Sequence, residues 1–246
     1  MSPDEARARI EALGFDDDSA SVLFDHFATA EASGRGSHGF HRIGWLETFA
    51  GLDPGARPAR VVAEEGYERW QANGAVGYLV LDAVVRAQLE RPPAHGRIVV
   101  CDDTFPTGML GYWTRRLADA GLVAMLTATS PRRLGHPDGG PRLTGTNPLA
   151  VAVPSSDGRP VVADVSMGNL TYGDVLAGRA TEDELAPFGG DQAHKSFAIA
   201  VGLQLFVDAL TPGDGFGAVL AVAWPETDPV PAFRERAAGV RLPGDR

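Results

Sequence analysis

Apolar and polar positions along this chain follow two periods in turn. From Pro3 to about Leu13, and again from Asp16 to about Ala30, apolar side chains recur at helical spacing, with Val22, Leu23, Phe27 and Ala30 on one face. Ser2, Pro3 and Glu5 supply an N-cap, a first-turn proline and a capping-box acid, and Gly14 ends the first helix. Asp16 to Asp18 can cap the second helix, where His26 reads as a face residue. Ile43, Trp45, Leu46 and Phe49 predict a third, shorter helix, broken by Gly51 and Pro54. Residues 1–58 are therefore expected to be a helical N-terminal part.

From Arg60 the period changes. Arg60 to Glu64 and Tyr67 to Gln71 read as a hairpin turning at Glu65-Gly66. A helix is expected from about Tyr78 to Leu89, closed by Pro92-Pro93. Arg97 to Cys101 is a β-branched run suited to a strand buried on both faces. A helix over 108–120 then leads to a strand from Leu122 to Thr127. This strand–helix–strand order implies a crossover and a sheet with helices packed on it. Ser130 to Gly140 reads as a loop rich in Pro, Gly and Arg. Leu149 to Val153 and Pro160 to Asp164 are strands, Ala193 to Leu210 a long helix, Ala218 to Trp224 a strand, and Phe233 to Ala237 a short helix. The class is α/β, with residues 59–246 forming the α/β part of what is expected to be one compact unit.

Composition narrows the function. A formal charge of -10 argues against a nucleic-acid surface, which needs clustered Lys and Arg. No apolar run reaches the roughly 18 residues that span a bilayer, and the acidic, amphipathic start does not resemble a signal peptide. The one cysteine, Cys101, lies in an apolar run where a buried, inert thiol is expected. A single cysteine excludes an intrachain disulfide and a multi-cysteine zinc site, so a cytoplasmic protein without a bound metal is expected. The 30 glycines and 18 prolines are spread as punctuation, so they predict many turns and no low-complexity tract.

The chemistry concentrates after the second helix. Gly36-Ser37-His38-Gly39-Phe40-His41-Arg42 places a hydroxyl, an imidazole and a guanidinium beside glycines. His transfers protons near neutral pH, Arg offers a planar fork of donors to a carboxylate, and Gly lets backbone and ligand approach. No Gly-x-Gly-x-x-Gly follows a strand, and a P-loop, a helical zinc spacing and Gly-x-Ser-x-Gly are all absent. Gly145-Thr146-Asn147-Pro148 precedes a strand, Asp164-Val165-Ser166-Met167-Gly168 follows a strand end, and Lys195 opens a helix, where an anion is favoured.

In this order, Ser37-His38-Gly39-x-x-Arg42, Gly111-Tyr112-Trp113, Gly139-Gly140, Gly145-Thr146-Asn147-Pro148, Asp164-Val165-Ser166, Lys195 and Leu242-Pro243-Gly244-Asp245 make the chain resemble a family over nearly its whole length. That family is the NAD(P)-dependent malate/L-lactate dehydrogenases distinct from the classical Rossmann ones. It includes ureidoglycolate, sulfolactate and 2,3-diketogulonate oxidoreductases and piperideine-2-carboxylate reductases. The resemblance implies a non-Rossmann fold with a helical N-terminal part and a mixed sheet, a homodimer, and a cofactor cleft completed by the partner subunit. It implies that His38 is the proton donor/acceptor, with Ser37 beside it, and that Arg42 holds the carboxylate of a small acid. Ser130, Asp164, Val165, Ser166, Lys195, Gly244, Asp245 and Arg246 match cofactor-contacting segments, the cofactor being NAD or NADP. Two departures accompany the match. The position of a second family histidine is Pro106, and the chain is shorter than its relatives around the cofactor region. The second expectation is therefore an isomerase, lyase or cyclase on the same scaffold, with His38 as acid/base and no nicotinamide.

Overall fold

The computed structural model describes residues 1–245. Three helices open the chain: α1 (Pro3–Ala12), α2 (Asp17–Ala32) and α3 (His41–Leu46), with a one-turn 3-10 helix at Gly36–His38 between the last two. Ser2 and Asp16 cap the first two as expected, accepting the Glu5 and Ser19 amides. The rest runs β1 (Ala59–Ala63), β2 (Tyr67–Gln71), α4 (Gly77–Glu90), β3 (Gly96–Asp102), α5 (Leu110–Asp119), β4 (Val123–Ala128), β5 (Leu134–Gly135), β6 (Arg142–Thr144), β7 (Leu149–Val153), β8 (Val161–Val165), α6 (Tyr172–Leu176), α7 (Ala193–Leu210), β9 (Ala218–Ala223) and α8 (Val230–Ala237).

Seven strands form one mixed sheet in the order β1-β2-β3-β9-β4-β7-β8. β2 and β3 run parallel, joined through α4, and every other neighbouring pair is antiparallel. β3 and β4 are parallel to each other through α5, as the strand–helix–strand order implies, but they do not touch. β9, from far down the chain, lies between them and pairs with both.

The two faces of the sheet differ. Val99, Leu220, Leu126 and Ala150 are paired across four strands and buried under α4 and α5. The same core includes Ile10, Leu23 and Phe27 of the N-terminal helices beside Tyr78 and Val80 of α4. The next row on the opposite face, Ile98, Ala221, Met125 and Val151, stays partly open, with Ile98 39% and Met125 48% exposed. The expectation that β3 is buried on both faces is therefore wrong in this chain. Only α7 covers the second face, through Val207 on Val100 and Val219, and it does not reach Ile98.

α7 is apolar outward. Its inward face carries Ser196 and Gln204 among small residues, whereas Ile199, Leu205 and Phe206 are exposed. By length and composition the stretch 190–210 could also cross a membrane, a property the sequence reading did not assign to it. The inward polar groups have partners: Asn147 Nδ2 donates to Gln204 Oε1 (3.0 Å) and to the Ala200 carbonyl (3.2 Å). The loop 145–148 is thereby pinned to α7. Cys101 is buried, and burial pushes its thiol well above the ordinary range, as its apolar run suggested. The stretch Ser130 to Gly140, expected to be a loop, contains the short strand β5, which pairs with β6 just beyond it. Asn147→Ala is expected to lower stability by about 1–3 kcal/mol in urea denaturation, because it strands a buried acceptor.

Candidate functional site

The loop after α2 is held by its own helix. The Phe40 amide donates to Glu31 Oε1 (2.8 Å), and Gly39 lies so close to that carboxylate that a Cβ there would overlap it. The chain therefore turns tightly through Gly36–His38 and enters α3. Arg42, on the first turn of α3, points back: its Nε donates to the Ser37 carbonyl (3.0 Å), and its guanidinium stands 5.9 Å from the Trp45 ring centre. From the other side α6 closes on the same turn, with Gly173 pressed against the Ser37 carbonyl so that no side chain fits.

Ser37, His38 and Arg42 form one wall of a cavity of about 770 Å³, within the range of small-ligand sites. Ser130, Asp164 and Ser166 face it from the ends of β4 and β8, and Phe105, Pro106 and Phe216 give it an apolar side. Thr146 and Pro148 add the loop pinned to α7. Six of the candidate catalytic and cofactor residues named from the sequence, Ser37, His38, Arg42, Ser130, Asp164 and Ser166, thus meet in one space.

The remainder lie elsewhere. Val165 is 43% exposed and lies outside the cavity lining. Lys195 is exposed on α7 and lies outside the cavity lining. Gly244 and Asp245 line a neighbouring cleft that shares Arg35, Met109 and Asp164 with the first. Arg246 lies outside the described residues.

Sequence reading missed Arg35, Arg133 and Tyr172, which also line the cavity. Tyr172 had a signal: Thr171-x-x-Asp174 is a capping box, and both of its reciprocal hydrogen bonds form. The two arginines had none, since an arginine in a loop is ordinarily solvated.

Electrostatically the cavity is rich in uncompensated positive charge. Arg35, Arg42 and Arg133 have no ion-pair partner among the described residues, and Asp103 and Asp164 are the carboxylates in the lining. Burial pushes the Asp164 carboxyl up, while the Gly111 amide donates to its Oδ2 (2.8 Å). Burial, then Arg42 and Arg35, pushes His38 down to about 3, so the free site holds a neutral imidazole at neutral pH. Its Nδ1 is enclosed without a hydrogen-bond partner. Among the described residues no cluster of His, Cys, Asp or Glu is arranged to hold a metal.

Pro106 brings no imidazole to its loop, but α2 does. His26 is fully buried between Tyr78, Tyr112 and Trp113, and its Nε2 accepts the Met109 amide (2.9 Å) just past Pro106.

The fold and the site define a class: an α/β protein with a mixed sheet that delivers one neutral imidazole and, among the described residues, three guanidinium groups without ion-pair partners to a cavity of small-ligand size. The family model described as malate/L-lactate dehydrogenase matches residues 4–185, and the chain belongs to that family. It is 28% identical over 229 residues to a (2R)-3-sulfolactate dehydrogenase (NADP(+)) of Chromohalobacter salexigens, covering 85% of this chain and 68% of that one. It is 28% identical over 228 residues to a Δ1-pyrroline-2-carboxylate/Δ1-piperideine-2-carboxylate reductase of Pseudomonas putida, covering 79% and 64%. The chain thus spans about two thirds of the length of these relatives. The crystal structure of Δ1-piperideine-2-carboxylate reductase from Pseudomonas syringae superposes with a TM-score of 0.85 at 23% identity, over 99% of this chain and 89% of that one. The non-Rossmann fold expected from the motifs is the fold observed.

His26, ordinarily titrating near 6.5, is pushed down to about 3, first by burial and then by the neighbouring His38. Between those values the unfolded chain takes up a proton that the native state refuses, so stability falls as pH falls through that window. His26→Gln is expected to make the acid-side decline of Tm shallower in a pH series of thermal melts, and an unchanged slope would show that His26 titrates normally.

Proposed function

We propose that the chain is an NAD(P)H-dependent oxidoreductase that interconverts a small 2-oxo acid, or cyclic imino acid, with its reduced form. The observation that carries this reading is the joint presence of His38 and Arg42 on one cavity wall, with Arg42 aimed by the Ser37 carbonyl. Family membership supports it.

Arg42 binds the substrate carboxylate through the donors not used by Ser37. Since Nδ1 of His38 is enclosed, Nε2 is the nitrogen assigned to the substrate. It gives a proton to the carbonyl oxygen or imine nitrogen on reduction and takes it back on oxidation. Burial, and then Arg42 and Arg35, disfavour the protonated ring in the free site. A bound carboxylate offsets the charge of the two arginines and so shifts the balance toward the protonated ring. The hydride comes from a reduced nicotinamide when one is bound. The cavity has the volume for the nicotinamide end beside a small acid, and the unpaired guanidinium groups suit the anionic nucleotide. Ser130, Asp164, Ser166 and the backbone at Val165 are assigned to it, and the neighbouring cleft at Gly244-Asp245 to its distal part.

The active form is proposed to be a homodimer. Ile98 and Met125 on the open side of the sheet and Ile199, Leu205 and Phe206 on α7 are large apolar residues left exposed, and Lys195 stands on the same helix, outside the cavity lining. A second copy against this face covers the apolar residues and carries Lys195 toward the partner's site. Leu205→Asp combined with Phe206→Asp is expected to yield monomers by sedimentation equilibrium, and a wild-type chain that sediments as a monomer would rule the dimer out.

Titration of the pure protein with NADH and NADPH tests the redox reading. Submillimolar binding is expected, retained in His38→Gln while turnover falls by about 10²–10⁴-fold. Arg42→Ala is expected to weaken acid binding by about 2–5 kcal/mol. If neither nucleotide binds, the redox reading fails and His38 is left as the acid/base of a conversion without nicotinamide.

A further inference from the structure

We propose that Arg133, stacked on Tyr172, is a specificity-determining residue that forms a second anion subsite in the His38 cavity, so that the preferred substrate is a small acid with a second acidic group at its far end. This rests on the reading that an acid occupies the cavity with one carboxylate on Arg42.

Four observations converge on Arg133. Its guanidinium carbon lies 3.5 Å from the Tyr172 ring centre, whereas the other arginine–aromatic contacts in the molecule are 5.7–5.9 Å. At that distance the guanidinium lies flat on the ring, which fixes its plane and leaves its edge of N–H donors free. No side-chain hydrogen bond or ion pair engages those donors among the described residues, although Arg133 lines the cavity. The main chain at Arg133 is anchored, since its amide donates to the Thr144 carbonyl (2.7 Å) and the next residue, Leu134, is fully buried with Met167 and Leu185.

The ring beneath Arg133 is tied to the catalytic wall. Tyr172 opens α6, and its neighbour Gly173 is pressed against the Ser37 carbonyl, the group that aims Arg42. Arg133–Tyr172 and Ser37–Arg42 are therefore parts of one rigid frame rather than independent loops. A mono-acid leaves one guanidinium of this frame without a counter-charge. A di-acid satisfies both, each through the same forked geometry. A cofactor phosphate is the other anion such a fork accepts, and the test separates the two.

Malate and lactate differ by one carboxylate at the far carbon, and calorimetric titration of the full chain with each, with and without saturating oxidised nucleotide, reads the subsite directly. Wild-type protein is expected to bind malate at least about tenfold tighter than lactate. Arg133→Leu and Tyr172→Ala are each expected to bring that ratio close to one, and Tyr172→Phe, which keeps the stacking ring, to preserve it. Equal affinities in the wild type, no binding of either acid, or a ratio that survives both Arg133→Leu and Tyr172→Ala would overturn the proposal. So would an Arg133→Leu variant that loses nucleotide affinity and keeps the ratio, which assigns the fork to the cofactor. Turnover is not read: a chain that prefers malate through Arg133 but transfers no hydride keeps this subsite and loses the redox reading.

Discussion

β9 holds the sheet together at its centre. Residues Ala218–Ala223 pair on one edge with β3 and on the other with β4, and without them two buried strands have unmet backbone groups facing each other. The approach to β9 is also the approach to the cavity. The Thr104 amide donates to the Phe216 carbonyl (2.7 Å), and the Thr129 amide donates to the Gly217 carbonyl (2.9 Å). The loops that leave β3 and β4 are thus both tied to 216–217 before they diverge to carry Phe105 and Ser130 to the cavity. Sheet closure and cavity closure are one event.

Charge is handled in opposite ways in the framework and in the cavity. Glu68, fully buried on β2, accepts from Trp70 Nε1 (3.0 Å) and Gln88 Nε2 (2.9 Å) and pairs with Arg97 and Arg60. Arg69 forks onto Asp102 at 2.8 and 3.0 Å. Each buried charge there has its counterpart, as a low-dielectric interior requires. At the cavity the Arg42 guanidinium is held by the Ser37 carbonyl and that of Arg133 by the Tyr172 ring, and neither they nor Arg35 pair with a carboxylate among the described residues. The same electrostatics that keeps His38 neutral makes the empty site a poor place for another cation and a good one for an acid.

Most local structure was legible because it is written in periods and caps. Apart from the short β5 and β6, the helices and strands from Pro3 to Val153 fall within a few residues of where apolar spacing puts them, and Ser2, Asp16 and Gly14 mark the ends they form. What was hidden is non-local. Nothing in Ala218 to Ala223 says that it separates β3 from β4, since strand pairing is chosen by tertiary packing. The run Arg97 to Cys101 reads as doubly buried because periodicity cannot tell a covered apolar position such as Val100 from an open one such as Ile98. Of the site, His38, Arg42 and Ser37 announced themselves through residue type beside glycine and through family motifs. Arg133 did not, because its significance comes from the Tyr172 ring beneath it, 39 positions along the chain.

The position of β9 also sets a timetable. On the ribosome, every other strand of the sheet has emerged before residue 218 is made, and the segment that matches the family model is finished by residue 185. Until then β3 and β4 cannot complete their pairing, and each has a free edge, Ile98-Val99-Val100 in β3 and Val123-Ala124-Met125-Leu126 in β4. The nascent chain therefore passes through a stage in which these two strands are templates for any passing strand. Pairing of β9 between them is what retires that hazard, which makes the segment around β9 a determinant of solubility during synthesis as well as of the finished cavity.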